Sequence, residues 1–144
     1  MISIDPVARQ LMIQDGLKTF PDECCGFFYG EEDADGNRHI TEILVVNNAK
    51  DGDKSRRFEI SPKDYLKGEQ FAQEKNLAFL GIYHSHPNHP AIPSEQDRIA
   101  AQPYFSYIII SVLSNNKTHL RSWRLNDGFQ FVEEEIKNTI LQNQ

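Results

Sequence analysis

The sequence is short of the features that mark most specialised chains. It has only two cysteines, and they are neighbours, Cys24 and Cys25. A bond between adjacent cysteines departs badly from ordinary disulfide geometry, so both are expected as reduced thiols. No stretch approaches the roughly 20 apolar residues that a bilayer span requires. The longest apolar cluster, residues 107–113, is strand-sized and contains Ser111. The opening Met1-Ile2-Ser3-Ile4-Asp5-Pro6 lacks the basic start and apolar run of a secretory signal, which points to the cytoplasm. Positive charge is in deficit: 15 Lys and Arg stand against 21 Asp and Glu, a formal net charge of −6. Such a chain has no general attraction for nucleic-acid backbones or anionic membranes. Internal repeats, low-complexity tracts and Pro/Ser-rich linkers are missing as well. The 144 residues therefore suit one domain around one core, spanning 1–144.

What is present alternates between helix and strand signals. Asp5-Pro6 is a helix start, since Asp caps free amides and Pro fits the first helical position. Val7, Leu11 and residues 13–17 supply an apolar face up to about Phe20, and Pro21 ends it. Residues 25–30 read as a buried strand, and the turn at 33–37 leads to a second strand over 40–46. A polar loop covers 47–55, residues 57–60 alternate like a strand, and Ser61-Pro62 starts a second helix running to Glu74. That helix is expected to turn Tyr65, Leu66, Phe71 and Ala72 inward. Residues 77–83 read as a central strand. A Pro-rich loop at 87–93 leads to a short helix from Ser94, and further strands are expected over 105–113, 118–125 and 129–133. The tail from Glu134 reads equally as strand or helix. Trp123, Phe27, Phe28, Tyr29 and Phe79 are expected in the core. The predicted fold class is α/β (α+β): helices flanking a mixed sheet.

Chemistry concentrates at His84-Ser85-His86. Side chains alternate along a strand, so both imidazoles leave on one face with Cα atoms about 6.5–7 Å apart, while Ser85 points the other way. Two imidazoles so placed suit one tetrahedral metal ion, and Asp97, in the first turn of the next helix, is a candidate third ligand. Two His and one carboxylate leave the open position that distinguishes a catalytic zinc from a structural one. The cysteines are poor candidates to close the site, because Cys24 and Cys25 point to opposite sides of a strand. Without an identifiable base to activate a thiolate, they read as small apolar fillers. His89, in the same loop, is expected to face solvent.

The segment resembles the JAMM (MPN-plus) metalloprotease family, in its small prokaryotic form. The family pattern is a distant upstream Glu, then His-Ser/Thr-His, seven residues, Ser, two residues and Asp. Here His86 is followed by residues 87–93, then Ser94 and, after two more, Asp97, with no departure. Pro21-Asp22-Glu23-Cys24-Cys25-Gly26 is similar to the segment that carries the family's catalytic Glu, and Asn47-Asn48-Ala49 and residues 57–62 resemble its intervening strands. The likeness runs from about Ile4 to Phe131.

The resemblance implies a deaminase-like α/β/α fold and one zinc ion held by His84, His86 and Asp97. It also implies that Glu23 is general base and then general acid, with Ser94 donating to the oxyanion. Read without the resemblance, Ser94 is explained equally by helix capping, and spacing alone does not single out Glu23. The implied substrate is a peptide or isopeptide bond after the C-terminal Gly-Gly of a ubiquitin-like protein, in the small bacterial members a sulfur carrier from which a C-terminal amino acid or adduct is released. The tail is expected beside a sheet edge near residues 43–47, walled by residues 48–56 and 88–93, with Arg56 and Arg57 available to an acidic carrier. Two other functions compete. A non-catalytic MPN scaffold would lack part of the metal set, which is intact here. A nucleic-acid-associated relative is disfavoured by the −6 charge.

Overall fold

A computed structural model describes residues 1–137. The elements, in chain order, are β1 (Ile2–Ile4), α1 (Pro6–Thr19), β2 (Cys25–Glu32), β3 (Arg38–Val46), α2 (Pro62–Lys75), β4 (Ala78–Pro87), α3 (Glu95–Ala100), β5 (Ser106–Val112), β6 (Thr118–Leu125), β7 (Phe131–Glu134) and β8 (Ile136–Lys137). All eight strands form one mixed sheet in the order β7-β6-β5-β4-β2-β3-β1-β8. The two edge strands are separated in sequence by Glu135 alone, whose carbonyl accepts from the Ile2 N–H at 3.0 Å. The sheet must therefore curl until its edges nearly meet. No helix among the described residues is long and apolar enough to cross a membrane.

The curl wraps α1. Ile4, Ala8, Met12, Phe28, Ile40, Leu80, Ile108 and Leu120 form one core on that side. Asp5 caps α1 as expected, accepting from the Val7 N–H at 3.1 Å. The buried face is not the one the apolar residues suggest, however. Ala8, Met12 and Gly16 face the sheet, while Val7, Leu11 and Leu17 are exposed. Close approach decides this: a Cβ on Gly16 would stand 3.1 Å from a Val112 methyl, so only a stripe of compact or pliant side chains fits the concave face.

A second core lies on the other face, beneath α2 and α3, and contains Cys25, Phe27, Tyr29, Ile82 and Tyr107. Ser61 caps α2, and Asn76 ends it in the left-handed conformation (φ 55°). Tyr65, Phe71 and Ala72 pack inward as expected, but Leu66 is exposed, and buried Gly68 accepts from the Tyr29 hydroxyl instead. Residues 57–60 are not a strand. Phe58 and Ile60 do point into the core, yet the backbone groups pair with Asn48 and Ala49 rather than with a sheet. The short β1 escapes sequence reading, and of the tail from Glu134, residues 134–137 are strand or its connection while the rest lies outside the described residues.

Two irregularities of the sheet shape the site and the approach to it. In β4 the pairing with β2 slips between Phe28↔Gly81 and Tyr29↔Phe79, so Leu80 is an extra residue, a β-bulge. The bulge reverses the alternation: Leu80 enters the α1 core, whereas Ile82 enters the other. Arg38, 2% exposed, braces it by donating to the Leu80 carbonyl at 3.1 Å, Ser106 Oγ at 2.9 Å and the Tyr104 carbonyl at 2.8 Å, with Glu32 as counter-charge at 2.7 Å. At the opposite side, β1 pairs only with Arg38, His39 and Ile40 of β3. Beyond them the outer edge of β3 has no strand partner among the described residues.

Candidate active site

The C-terminal end of β4 carries the site. Beyond the bulge, alternation sends His84 and His86 to the α2/α3 face, and Ser85 goes to the α1 face, where its Oγ accepts from the Cys24 N–H at 2.8 Å. Antiparallel pairing sets Cys25 opposite His84. The Ser85 N–H also donates to the Cys24 carbonyl, so continuing that register by two residues sets Glu23 opposite His86. The sheet thus brings together residues about sixty positions apart. Cys24 and Cys25 enter opposite cores as expected, both free and buried, and burial pushes the Cys25 thiol up to about 12 and that of Cys24 higher still.

Asp97 arrives through α3. Ser94 is the N-cap: its Oγ accepts from the Asp97 N–H at 3.0 Å, and Asp97 Oδ2 accepts from the Ser94 N–H at 2.9 Å. The same Oδ2 lies 3.3 Å from His84 Nε2 and 3.2 Å from His86 Nε2, and those two nitrogens are 3.2 Å apart. Donor atoms on a tetrahedral ion with bonds of about 2.0–2.1 Å stand about 3.3–3.4 Å from one another. The three atoms have that spacing.

The proton arrangement supports the fit. His86 Nδ1 donates to the Pro90 carbonyl at 2.9 Å, so a neutral ring turns the Nε2 lone pair toward the Asp97 carboxylate. Either a proton on Nε2 or a metal cation between the two groups relieves that opposition. Burial holds His84 below its ordinary pKa. Burial acts against charge on His86 too, yet the hydrogen bonds to Asp97 and Pro90 raise it. Burial alone would raise Asp97, but His84 and His86 hold its carboxyl far below the carboxylate range. Glu23 completes the corner. It is 4% exposed, and a carboxyl oxygen lies within 4.8 Å of both rings, making a Glu/His/His group able to hold a metal ion. Burial pushes its carboxyl up to about 8, partly opposed by His86. Glu23 Oε1 and His84 Nδ1 are buried without a hydrogen-bond partner.

The surroundings are more fixed than a Pro-rich loop suggests. The stretch around His89, which is exposed as expected, is tied down by four bonds: Asn88 N–H to Val112 O (2.7 Å), Ser111 Oγ to His89 O (2.6 Å), Trp123 Nε1 to Ala91 O (3.0 Å), and His86 to Pro90. Trp123 is therefore a strut as well as a half-buried aromatic. Asn48 is a second residue whose position is clear only in three dimensions. Its side chain donates to the Glu23 carbonyl at 3.2 Å and the Arg57 carbonyl at 3.0 Å and accepts from Lys50 and Glu59 N–H groups. It joins the backbone of Glu23 to the segment that carries Phe58, whose ring stacks on His84 at 4.4 Å between centroids. The sequence signal for it was the likeness of Asn47-Asn48-Ala49 to a family segment.

The site opens into two cavities. One of about 380 Å³ runs over Phe58, Ile60, Tyr65, Ile82 and Tyr107. The other, about 500 Å³, adjoins Glu23, His86, His89 and Ile92. Arg56 and Ser94 border both.

Comparison with known proteins identifies the family. The family described as prokaryotic homologs of the JAB domain matches residues 6–126. A desampylase of Pyrococcus furiosus is 30% identical over 114 residues, covering 79% of this chain and 74% of the relative. A CysO-cysteine peptidase of Mycobacterium tuberculosis is 31% identical over 133 residues, 91% of this chain and 86% of that one. The solution structure of a protein from Desulfitobacterium hafniense superposes with a TM-score of 0.84 at 29% identity, covering 95% of this chain and 92% of the other. The chain belongs to the prokaryotic JAB-domain family, in its JAMM-type form that hydrolyses peptide bonds.

Proposed function

We propose that the chain is a zinc-dependent peptidase or isopeptidase that cuts after the C-terminal Gly-Gly of a ubiquitin-like, sulfur-carrier-type protein. The observation that carries this reading is the near-equilateral triangle of His84 Nε2, His86 Nε2 and Asp97 Oδ2, 3.2–3.3 Å on each side, beside a buried carboxyl. His84, His86 and Asp97 would hold the ion. When bound, zinc supplies Lewis acidity that polarises a carbonyl and acidifies water.

The chain's own residues do the rest. Glu23 takes a proton from the attacking water and returns it to the departing amine, a task suited to a carboxyl whose affinity for protons burial raises. Ser94 Oγ uses a lone pair to cap α3, which leaves its O–H free to donate to the developing oxyanion. Phe58 covers one face of His84 and excludes water there. The tail lies beside the free edge of β3 over residues 43–47, where glycine permits close approach of backbone to the cleft. Its partner is a protein with an extended Gly-Gly terminus, encountered in the cytoplasm.

Ser94→Ala separates capping from catalysis. The expected result in zinc-saturated protein is a kcat about 10²-fold lower with zinc content unchanged. If only zinc affinity falls and the saturated enzyme keeps its kcat, Ser94 is a cap and nothing more.

The function itself is tested by incubating zinc-loaded protein with ubiquitin-fold carriers extended past Gly-Gly and locating the cut by mass spectrometry. Cleavage after the second glycine, abolished by chelator and restored by zinc, is expected. Bound zinc without cleavage of any such tail would favour a scaffold.

A further inference from the structure

Glu23 is aimed by its backbone. Its Oε1 is buried without a hydrogen-bond partner, so that atom does nothing to hold the carboxyl over the His84–His86–Asp97 trio. Where the carboxyl stands then depends on the direction of the Cα–Cβ bond, which the two flanking peptide groups set. The peptide before Glu23 is held where the Glu23 N–H donates to the Lys54 carbonyl at 2.8 Å. The peptide after it, joining Glu23 to Cys24, is held at both ends. Its carbonyl accepts from the Asn48 side chain at 3.2 Å, and its N–H, that of Cys24, donates to Ser85 Oγ at 2.8 Å. A peptide group is planar, so a bond at each end fixes the plane and with it the ψ torsion of Glu23.

The Ser85 end of this clamp differs from an ordinary sheet pair. The register of β2 against β4 runs to Cys25↔His84, which leaves Cys24 facing Ser85. In a regular antiparallel pair each N–H donates to the carbonyl opposite. The Ser85 N–H does so, reaching the Cys24 carbonyl at 3.2 Å, but the return bond goes to a side-chain oxygen on the α1 face. The chain therefore enters β2 along a direction that a hydroxyl sets. Ser85 is 0% exposed, so no solvent competes for that bond. It also stands between the two histidines, and one three-residue stretch thus carries both ring donors and the tether of the carboxyl. We propose, resting on the general-base reading of Glu23 above, that Ser85 is a positioning residue whose hydroxyl clamps the Glu23–Cys24 peptide and so aims the carboxyl at the trio.

The test is a double-mutant cycle on the zinc-saturated full-length protein, with a ubiquitin-fold carrier extended past Gly-Gly as substrate. Ser85→Ala is expected to lower kcat by about 10- to 10²-fold, the scale of a misplacement near 1 Å, with KM and zinc affinity unchanged. Ser85→Thr keeps the hydroxyl and is expected to restore the rate. In a Glu23→Gln background Ser85→Ala is expected to cost less than about twofold, because the group it positions is already disabled. A hydroxyl that merely satisfied a buried N–H would change stability and leave kcat alone. If Ser85→Ala is too unstable to purify, Ser85→Cys takes its place, since a thiol is a weak acceptor.

Crystal structures of the zinc-loaded variants give a readout without turnover. The Glu23 carboxyl is expected to swing away from His84 and His86 in Ser85→Ala and to keep its place in Ser85→Thr. A carboxyl that keeps its place in Ser85→Ala overturns the proposal. So does an equal loss of kcat in both backgrounds, or a fall in zinc affinity with kcat unchanged. A displaced carboxyl in a protein whose parent form cleaves no tail upholds the positioning role and removes the hydrolase reading.

Discussion

Glu23→Gln is expected to lower kcat by about 10²–10⁴-fold, the range attributed to a positioned general acid–base, with zinc content unchanged. The amide keeps the size and hydrogen-bonding reach of the carboxyl but cannot carry the proton from water to amine. The site favours this clean loss. Glu23 Oε1 is buried and free of partners, so the substitution breaks no structural bond. The Glu23 backbone, fixed by Lys54 and Asn48, stays where it is. His86→Ala should behave differently, losing the metal along with activity. Steady-state rates paired with zinc analysis on both variants make the check. Full-rate cleavage by Glu23→Gln would remove Glu23 from the proton path and leave the zinc assignment standing.

Gly81→Ala is expected to damage the fold severely, costing about 3 kcal/mol or more in urea unfolding. An added Cβ would sit 1.9 Å from the Ser106 carbonyl oxygen and 2.5 Å from Phe28 Cζ, and the first of these is backbone in the adjacent central strand. Nothing nearby can give way cheaply. Gly81 also lies next to the bulged Leu80, which sets the phase of the rest of β4. A shift that eases the clash therefore reaches His84 and His86, and zinc affinity should fall together with stability. Gly36→Ala is a useful contrast: its Cβ meets nothing within 4 Å, and its positive φ of 83° is the only obstacle. The Gly81 variant should be the worse by a clear margin, and equal losses would mean that the backbone at Ser106 yields to the added methyl.

The site was legible because its chemistry is written in local spacing. His-x-His on a strand puts two imidazoles on one face whatever surrounds them, and Ser94 with Asp97 three residues on is a capping box whose geometry aims the carboxylate. Glu23 was legible only by likeness, since its place opposite His86 follows from the register of β2 against β4, which no stretch of sequence contains. The apolar face of α1 was misread for a related reason. Counting large residues selects Val7 and Leu11, but a helix inside a curled sheet is chosen by closeness, and closeness selects Ala8, Met12 and Gly16. Residues 57–60 had the right alternation and no strand to pair with, because Asn48 took their hydrogen bonds.

By itself, then, the sequence determined the order of most elements, the reduced cysteines, and the convergence of His84, His86 and Asp97 at the end of β4, since each depends on torsions and spacings within a few residues. The tertiary structure decided which face of β4 the histidines occupy, because one inserted residue at Leu80 inverts the alternation. It also decided which carboxyl stands over them, and that the cleft opens into two cavities. Those outcomes rest on strand register and on the curl of the sheet, which are set by contacts between residues far apart in the chain.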